Sequence, residues 1–234
     1  DMGSFQHELS GYRHVGDEAT RSMFEALWGH TIQSEPGLRI PNMLDAAIDG
    51  HFKGLFVQGE DIAQSAPNTV HVMHALESLE LLIVQDLFIN ETAKLAHVFL
   101  PGTSFLEKDG TFTNAERRIN RVRPAMRPRN GKQEWEVVCE LATALGAPMH
   151  YNNGAEIMDE IAALTPTFAG VSFAKLDEVG SVQWPCNEAR PMGTPIMHEG
   201  KFVRGLGKFS STPYLPTDER STRRFPLLLT TGRI

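Results

Sequence analysis

The sequence predicts an α/β fold built on an open, mainly parallel sheet with flanking helices. Three compact apolar runs, KGLFV (53–57), LLIV (81–84) and HVFL (97–100), alternate with stretches of helical period. The runs show little alternation, as expected of strands buried on both faces. Each of them ends in polar residues on what would be one edge of the sheet.

Taken in order, residues 17–28 read as a helix capped by Asp17, with Ala19, Met23 and Leu27 on one face and Gly29 as its stop. Pro41 opens a second helix through Ile48 that Gly50 closes. The first strand (53–57) follows. After Pro67-Asn68 comes a helix whose apolar face is Val70, Met73 and Leu76. The second strand (81–84), a short helix from Asn90 to Leu95 and the third strand (97–100) complete the alternation. Residues 102–114 read as a polar loop around Gly110. Helices at 132–145 and 155–164 come next, the first carrying Trp135, Val138, Ala142 and Leu145.

From this pattern residues 1–165 form a central α/β region and 166–224, rich in Pro, Gly, Ser and Thr, an irregular wrapping connector. Residues 225–234, FPLLLTTGRI, restart a strand as the beginning of another domain. Both ends of the chain read as positions inside a longer polypeptide, and no secretory leader is expected.

Composition narrows the class. Of the 234 residues 41% are hydrophobic and 22% charged, values of a globular protein able to bury a core. A net charge of -7 argues against a nucleic-acid or membrane-surface binder. No apolar run reaches the length of a membrane span. Two cysteines, Cys139 and Cys186, far apart, suggest a reducing, cytoplasmic setting and exclude a CxxC metal site. Cys139 reads as a small buried side chain and Cys186, after Pro185, as structural. His71 and His74, three apart on a helix, lack a carboxylate or thiol partner in sequence and read as a surface pair. Six arginines between 117 and 129 read as a solvated basic face, with phosphate or subunit contact the alternative.

Ligands of open parallel sheets bind outside the carboxyl ends of the strands. Here that edge carries Gln58-Gly59-Glu60-Asp61, then Gln85-Asp86, then Gly102 through Asn114. Asp86 has the chemistry to accept two hydrogen bonds from the N1–H and N2–H₂ of a guanine. Glu60 can do the same, and Lys108 can meet a phosphate as a point charge. Ordinary loop groups and helix caps account for these residues equally well.

The stretches GLFVQGED, LLIVQDLFINETAKLAHVFLPGTSFLEKDGTFTNAERRINRVRPA, QEW, QWPCNE and LLLTTGR, in this order, resemble the molybdopterin oxidoreductase (DMSO reductase) superfamily. Within it, DMG, GYRHVGDEATRSMFEALWG and QWPC are similar to catalytic alpha subunits of molybdenum- or tungsten-dependent formate dehydrogenases. The resemblance implies a bis(molybdopterin guanine dinucleotide) cofactor and a C-terminal β-barrel domain beginning at 225. It places cofactor contacts on Glu60, Gln85, Asp86, Lys108, Glu134, Thr231, Gly232 and Arg233, with Gly110 letting backbone approach the ligand. The metal ligand, its catalytic neighbours and the iron–sulfur cysteines would lie upstream of Asp1, so no catalytic residue is expected in this chain. Implied partners are the remaining domains of the subunit, electron-transfer subunits and formate. Another member of the superfamily, such as a nitrate reductase, and a non-catalytic scaffold subunit are the alternatives.

Overall fold

The computed structural model describes residues 8–202, 205–215 and 219–230. The chain divides into two compact units, Asp1–Pro195 and Ile196–Ile234.

The first unit opens with a two-residue antiparallel pair, β1 (Glu8–Leu9) and β2 (Arg13–His14). Helix α1 (Glu18–Trp28) starts where the Asp17 carboxylate accepts from Thr20 N, and stops at Gly29, whose φ of 68° is the left-handed C-cap. It buries Thr20 and Phe24, with the Arg13 guanidinium over the Phe24 ring at 5.1 Å. The expected stripe of Met23 and Leu27 is exposed instead, because the contact with β2 selects the neighbouring face.

Helix α2 (Ile40–Ile48), β3 (Gly54–Gln58), the single turn α3 (Ile62–Ser65), α4 (Thr69–Glu77), β4 (Leu81–Asp86) and β5 (Val98–Pro101) form the central layer. The sheet is parallel with β4 in the middle, Phe56 standing level with Ile83 and Ile83 with Val98. Leu55, Val57, Leu82, Val84 and Phe99 alternate onto one face and pack against Leu44 and Ala47 of α2, Ala63 of α3 and Val72, Ala75 and Leu76 of α4. On α4 the buried side is therefore Val72, Ala75 and Leu76; Val70, expected inside, is 82% exposed. The other face of the sheet is not covered as expected, and Phe56, Leu81 and Val98 are exposed. His71 Nε2 pairs with Asp45 across the α2–α4 contact at 3.1 Å.

The polar stretch read as a loop contains a strand. β6 (Gly110–Thr113) pairs antiparallel with β7 (Arg118–Val122), which also pairs with β8 (Ser181–Gln183). Its turn is built by Asn114, whose side-chain oxygen accepts from the backbone of Glu116 and Arg118, while Arg117 takes a φ of 67°. Two helices, α5 (Glu134–Ala144) and α6 (Gly154–Leu164), lie where expected, α6 capped by Asn153. The wrapping expected from 166 gives way to helix α7 (Phe173–Val179) and β8, and residues 166–195 belong to the first unit. Ile119, Met158, Phe168, Val171, Leu176, Val182 and Cys186 make a second core there. Glu160 of α6 ties this region to α1, accepting from Trp28 Nε1 at 2.8 Å and from the Tyr151 hydroxyl at 2.7 Å.

Half of the arginine run is internal wiring: Arg123, Arg127 and Arg129 are exposed, as on a solvated face, whereas Arg117, Arg118 and Arg121 are partly buried. Arg121, its side chain 8% exposed, lies 3.7 Å from the Phe173 ring centroid and pairs with Asp109 at 2.9 Å and Asp177 at 3.1 Å. Arg117 donates to the carbonyls of Trp184, Thr194 and Pro195. Beside it Gly193, at φ 86°, leaves no room for a side chain: a Cβ would sit 2.6 Å from the Gln183 carbonyl oxygen. In the second unit the described residues form no helix or strand, including 225–230, where a strand was expected.

Candidate functional site

Parallel strands all finish on the same side, so the three strand ends meet at one edge. Backbone bonds lock them together: Gly59 N donates to the Gln85 carbonyl at 2.9 Å, and Gly102 N to the Asp86 carbonyl at 2.8 Å. Gly102 eases that second contact, since a Cβ would lie 3.1 Å from the Asp86 carbonyl carbon. At Gly110, where close approach was expected to matter, a Cβ would meet no protein atom within 4 Å.

Gln85 is 1% exposed. Its side-chain oxygen accepts from the Gln58 amide at 2.8 Å, and its Nε2 is buried with no partner. An unpaired buried donor costs about 1–3 kcal/mol unless something meets it. Asp86 is half-buried; one carboxylate oxygen accepts from Leu87 N at 2.6 Å and the other from Asn90 Nδ2 at 2.9 Å. Each oxygen keeps a second lone pair, so two adjacent acceptors remain on this carboxylate. Glu60 is exposed and accepts from the Ser65 hydroxyl.

Glu134, the first residue of α5, reaches the same edge with a side chain 17% exposed. One of its oxygens accepts from Thr103 N at 2.8 Å and from Lys108 Nζ at 2.8 Å; the other accepts from the Thr103 hydroxyl at 2.5 Å. Burial pushes this carboxyl up, but the bonds from Lys108 and Thr103 outweigh it and hold the carboxyl below the ordinary glutamate value. The turn between Thr103 and Lys108 is tied further by Glu107, which accepts from Ser104 N, the Ser104 hydroxyl and Arg129 N.

Gln85, Asp86, Lys108 and Glu134 are thus brought together, with Glu60 on the adjoining strand end. Thr231, Gly232 and Arg233 lie outside the described residues. The sequence did not single out Thr103 and Gly102; their signal was their position directly after the third strand. A buried donor, two open acceptors and an ammonium along one sheet edge suit a ligand with a purine edge and phosphates. A groove of about 620 Å³ lined by Trp135, Glu136, Cys139, Glu140, His150 and Tyr151 is a poorer match, since no lysine or arginine lines it. Among the described residues no group of three or more His, Cys, Asp or Glu is arranged to hold a metal, and no helix is long and apolar enough to cross a membrane.

A computed comparison with solved structures finds acetylene hydratase from Pelobacter acetylenicus at a TM-score of 0.51 and 20% identity, over 72% of this chain and 24% of that one, a likeness of fold. Curated relatives match the whole chain: the F420-dependent formate dehydrogenase 2 subunit alpha of Methanococcus maripaludis at 42% identity, and formate dehydrogenase H of Escherichia coli at 37%. The chain covers 35% and 33% of their lengths, about a third of each. The model of the molybdopterin oxidoreductase family matches residues 2–144, a span that holds the parallel sheet, its polar edge and Glu134. Matched by this family model over more than half of its length, the chain belongs to the molybdopterin oxidoreductase family.

Proposed function

We propose that this chain is a segment of a formate dehydrogenase catalytic subunit and that its sheet edge holds one end of a bis(molybdopterin guanine dinucleotide). One observation carries the cofactor reading. The orphaned Gln85 Nε2, the two open acceptors of Asp86 and the Lys108 ammonium stand along one edge. Formate as substrate, and electron-transfer subunits as partners, rest on the names of the relatives that match across the whole chain.

In this reading Asp86, assisted by Glu60, accepts from the guanine N1–H and N2–H₂, each bond to an ionised acceptor being worth about 1.5–3 kcal/mol before desolvation. Adenine offers only one donor there, beside an acceptor that would face the carboxylate. Gln85 donates to a polar atom of the dinucleotide. Lys108 sets a positive charge against a phosphate. Thr231, Gly232 and Arg233 contribute from the start of a C-terminal domain. When bound, the cofactor's molybdenum or tungsten supplies two-electron exchange with the substrate, and the residues here position it. Iron–sulfur clusters and the reacting residues belong elsewhere in the subunit, and the two free, buried cysteines favour a cytoplasmic location.

The test is the guanine nucleotide and metal content of the complete protein carrying Glu60→Gln and Asp86→Asn together. Content should fall, and fall further for Asp86→Ala, which leaves guanine donors unpaired. Wild-type content in the double variant would show that this edge does not read guanine. Formate-dependent dye reduction by the complete protein tests the substrate.

A further inference from the structure

Three carboxylates of the edge, those of Glu60, Asp86 and Glu134, differ in how much acceptor capacity they have left. A carboxylate has about four lone-pair positions. Glu60 uses one, on Ser65, and Asp86 two, on Leu87 and Asn90. Glu134 uses three, on Thr103 N, the Thr103 hydroxyl and Lys108. Thr103 is itself 2% exposed, so two of these bonds are shielded from water.

We propose that Glu134 is a positioning residue for Lys108 and does not itself read the cofactor. It pins Thr103 to the first turn of α5 and holds the Lys108 side chain against the loop that leaves β5. The remaining donors of the ammonium are left for a phosphate. The contact is tight, since a Cβ on Gly102 would come within 3.4 Å of the same Glu134 oxygen that holds Lys108. Without the carboxylate, Lys108 is a flexible four-carbon stem whose rotamer freedom must be lost on each binding event. A neighbouring carboxylate that merely neutralised the ammonium would act oppositely, weakening phosphate binding.

This inference rests on the reading of Lys108 as a phosphate contact, and a double-mutant cycle separates the two. The complete protein is isolated as wild type, Lys108→Ala, Glu134→Gln and the double variant. Guanine nucleotide and pterin released on denaturation are measured per protein, with the melting temperature of each cofactor-free form. Each single variant should lose cofactor about fivefold, and the double variant should lose no more than Lys108→Ala alone. Wild-type content in Lys108→Ala overturns the reading of the edge. A loss in Lys108→Ala beside unchanged or raised content in Glu134→Gln overturns the positioning role only. Losses that multiply in the double variant also overturn it. Thr103→Val, which removes one bond to Glu134 and keeps every charge, repeats the cycle if Glu134→Gln does not fold. It should lose cofactor in wild-type background and none further beside Lys108→Ala; an unchanged content overturns the proposal.

Discussion

Arg121 shows why a residue's surroundings decide its meaning. In the sequence it is one of six arginines and looks like part of a basic face. In the fold its guanidinium lies over Phe173, between the carboxylates of Asp109 and Asp177. Both acids are partly exposed, so the ion pairs are screened and most of the loss on mutation comes from packing and from stranding Asp109. Arg121→Ala should cost about 2 kcal/mol, read as a lower urea midpoint, whereas Arg127→Ala should stay within about 0.5 kcal/mol. Equal effects would deny Arg121 its place as the link between hairpin and α7. Glu107 and Glu134 share a second signature: hydrogen bonds hold both carboxyls below the ordinary glutamate value near 4.5. A carboxyl depressed by folding contributes stability above its unfolded pKa, and that contribution is lost as pH falls through the folded pKa. Melting temperature should therefore drop on acidification through the carboxylate range. Glu134→Gln should flatten that slope, and an unchanged slope would remove Glu134 from the acid response.

At the scale of elements, the parallel strands and their helices were legible because long periodic runs and strong caps such as Asp17 and Asn68 coincide. The strand ends followed from topology, so Gln85 and Asp86 were found with the sheet. The hairpin was not legible. Only Phe112, Ile119 and Val122 mark its apolar positions, and its turn depends on an arginine at positive φ, which no turn motif announces. β8 escaped for a similar reason: three residues paired to β7 carry too little pattern to read. Helix faces failed where two apolar stripes compete, as on α4. The structure predicts a sharp contrast there. Leu76→Ala should cost about 3 kcal/mol in chemical denaturation, because the side chain is 1% exposed among strand residues. Val70→Ala should be neutral or stabilising by a few tenths of a kcal/mol through helix propensity. A cost at Val70 as large as that at Leu76 would put the face read from sequence back in the core.

For the whole molecule, the uncovered side of the central sheet is the feature with the widest reach. Phe56, Leu81 and Val98 are exposed on it, while their neighbours in sequence are packed beneath α2, α3 and α4. Parallel sheets are rarely left open to water on one side. The isolated 234-residue chain should therefore bind a hydrophobic dye, and Phe56→Ser with Val98→Thr should reduce the signal; a dye-silent chain would contradict the exposure. The same chain should not oxidise formate, since among the described residues neither cysteine stands in a group of His, Cys, Asp or Glu arranged to hold a metal; dye reduction by a chain of verified mass would refute that. The uncovered sheet also has a kinetic consequence. Among the described residues of this sheet only β4 has neighbours on both sides, so β3 and β5 each hold their ladder from one side alone. In deuterium oxide the amides of Val84 and Gln85 should be the last of the sheet to exchange, those of β3 and β5 following local openings well short of global unfolding. The strand that carries Asp86 would then be the slowest clock in the layer, keeping its register while the strands beside it breathe.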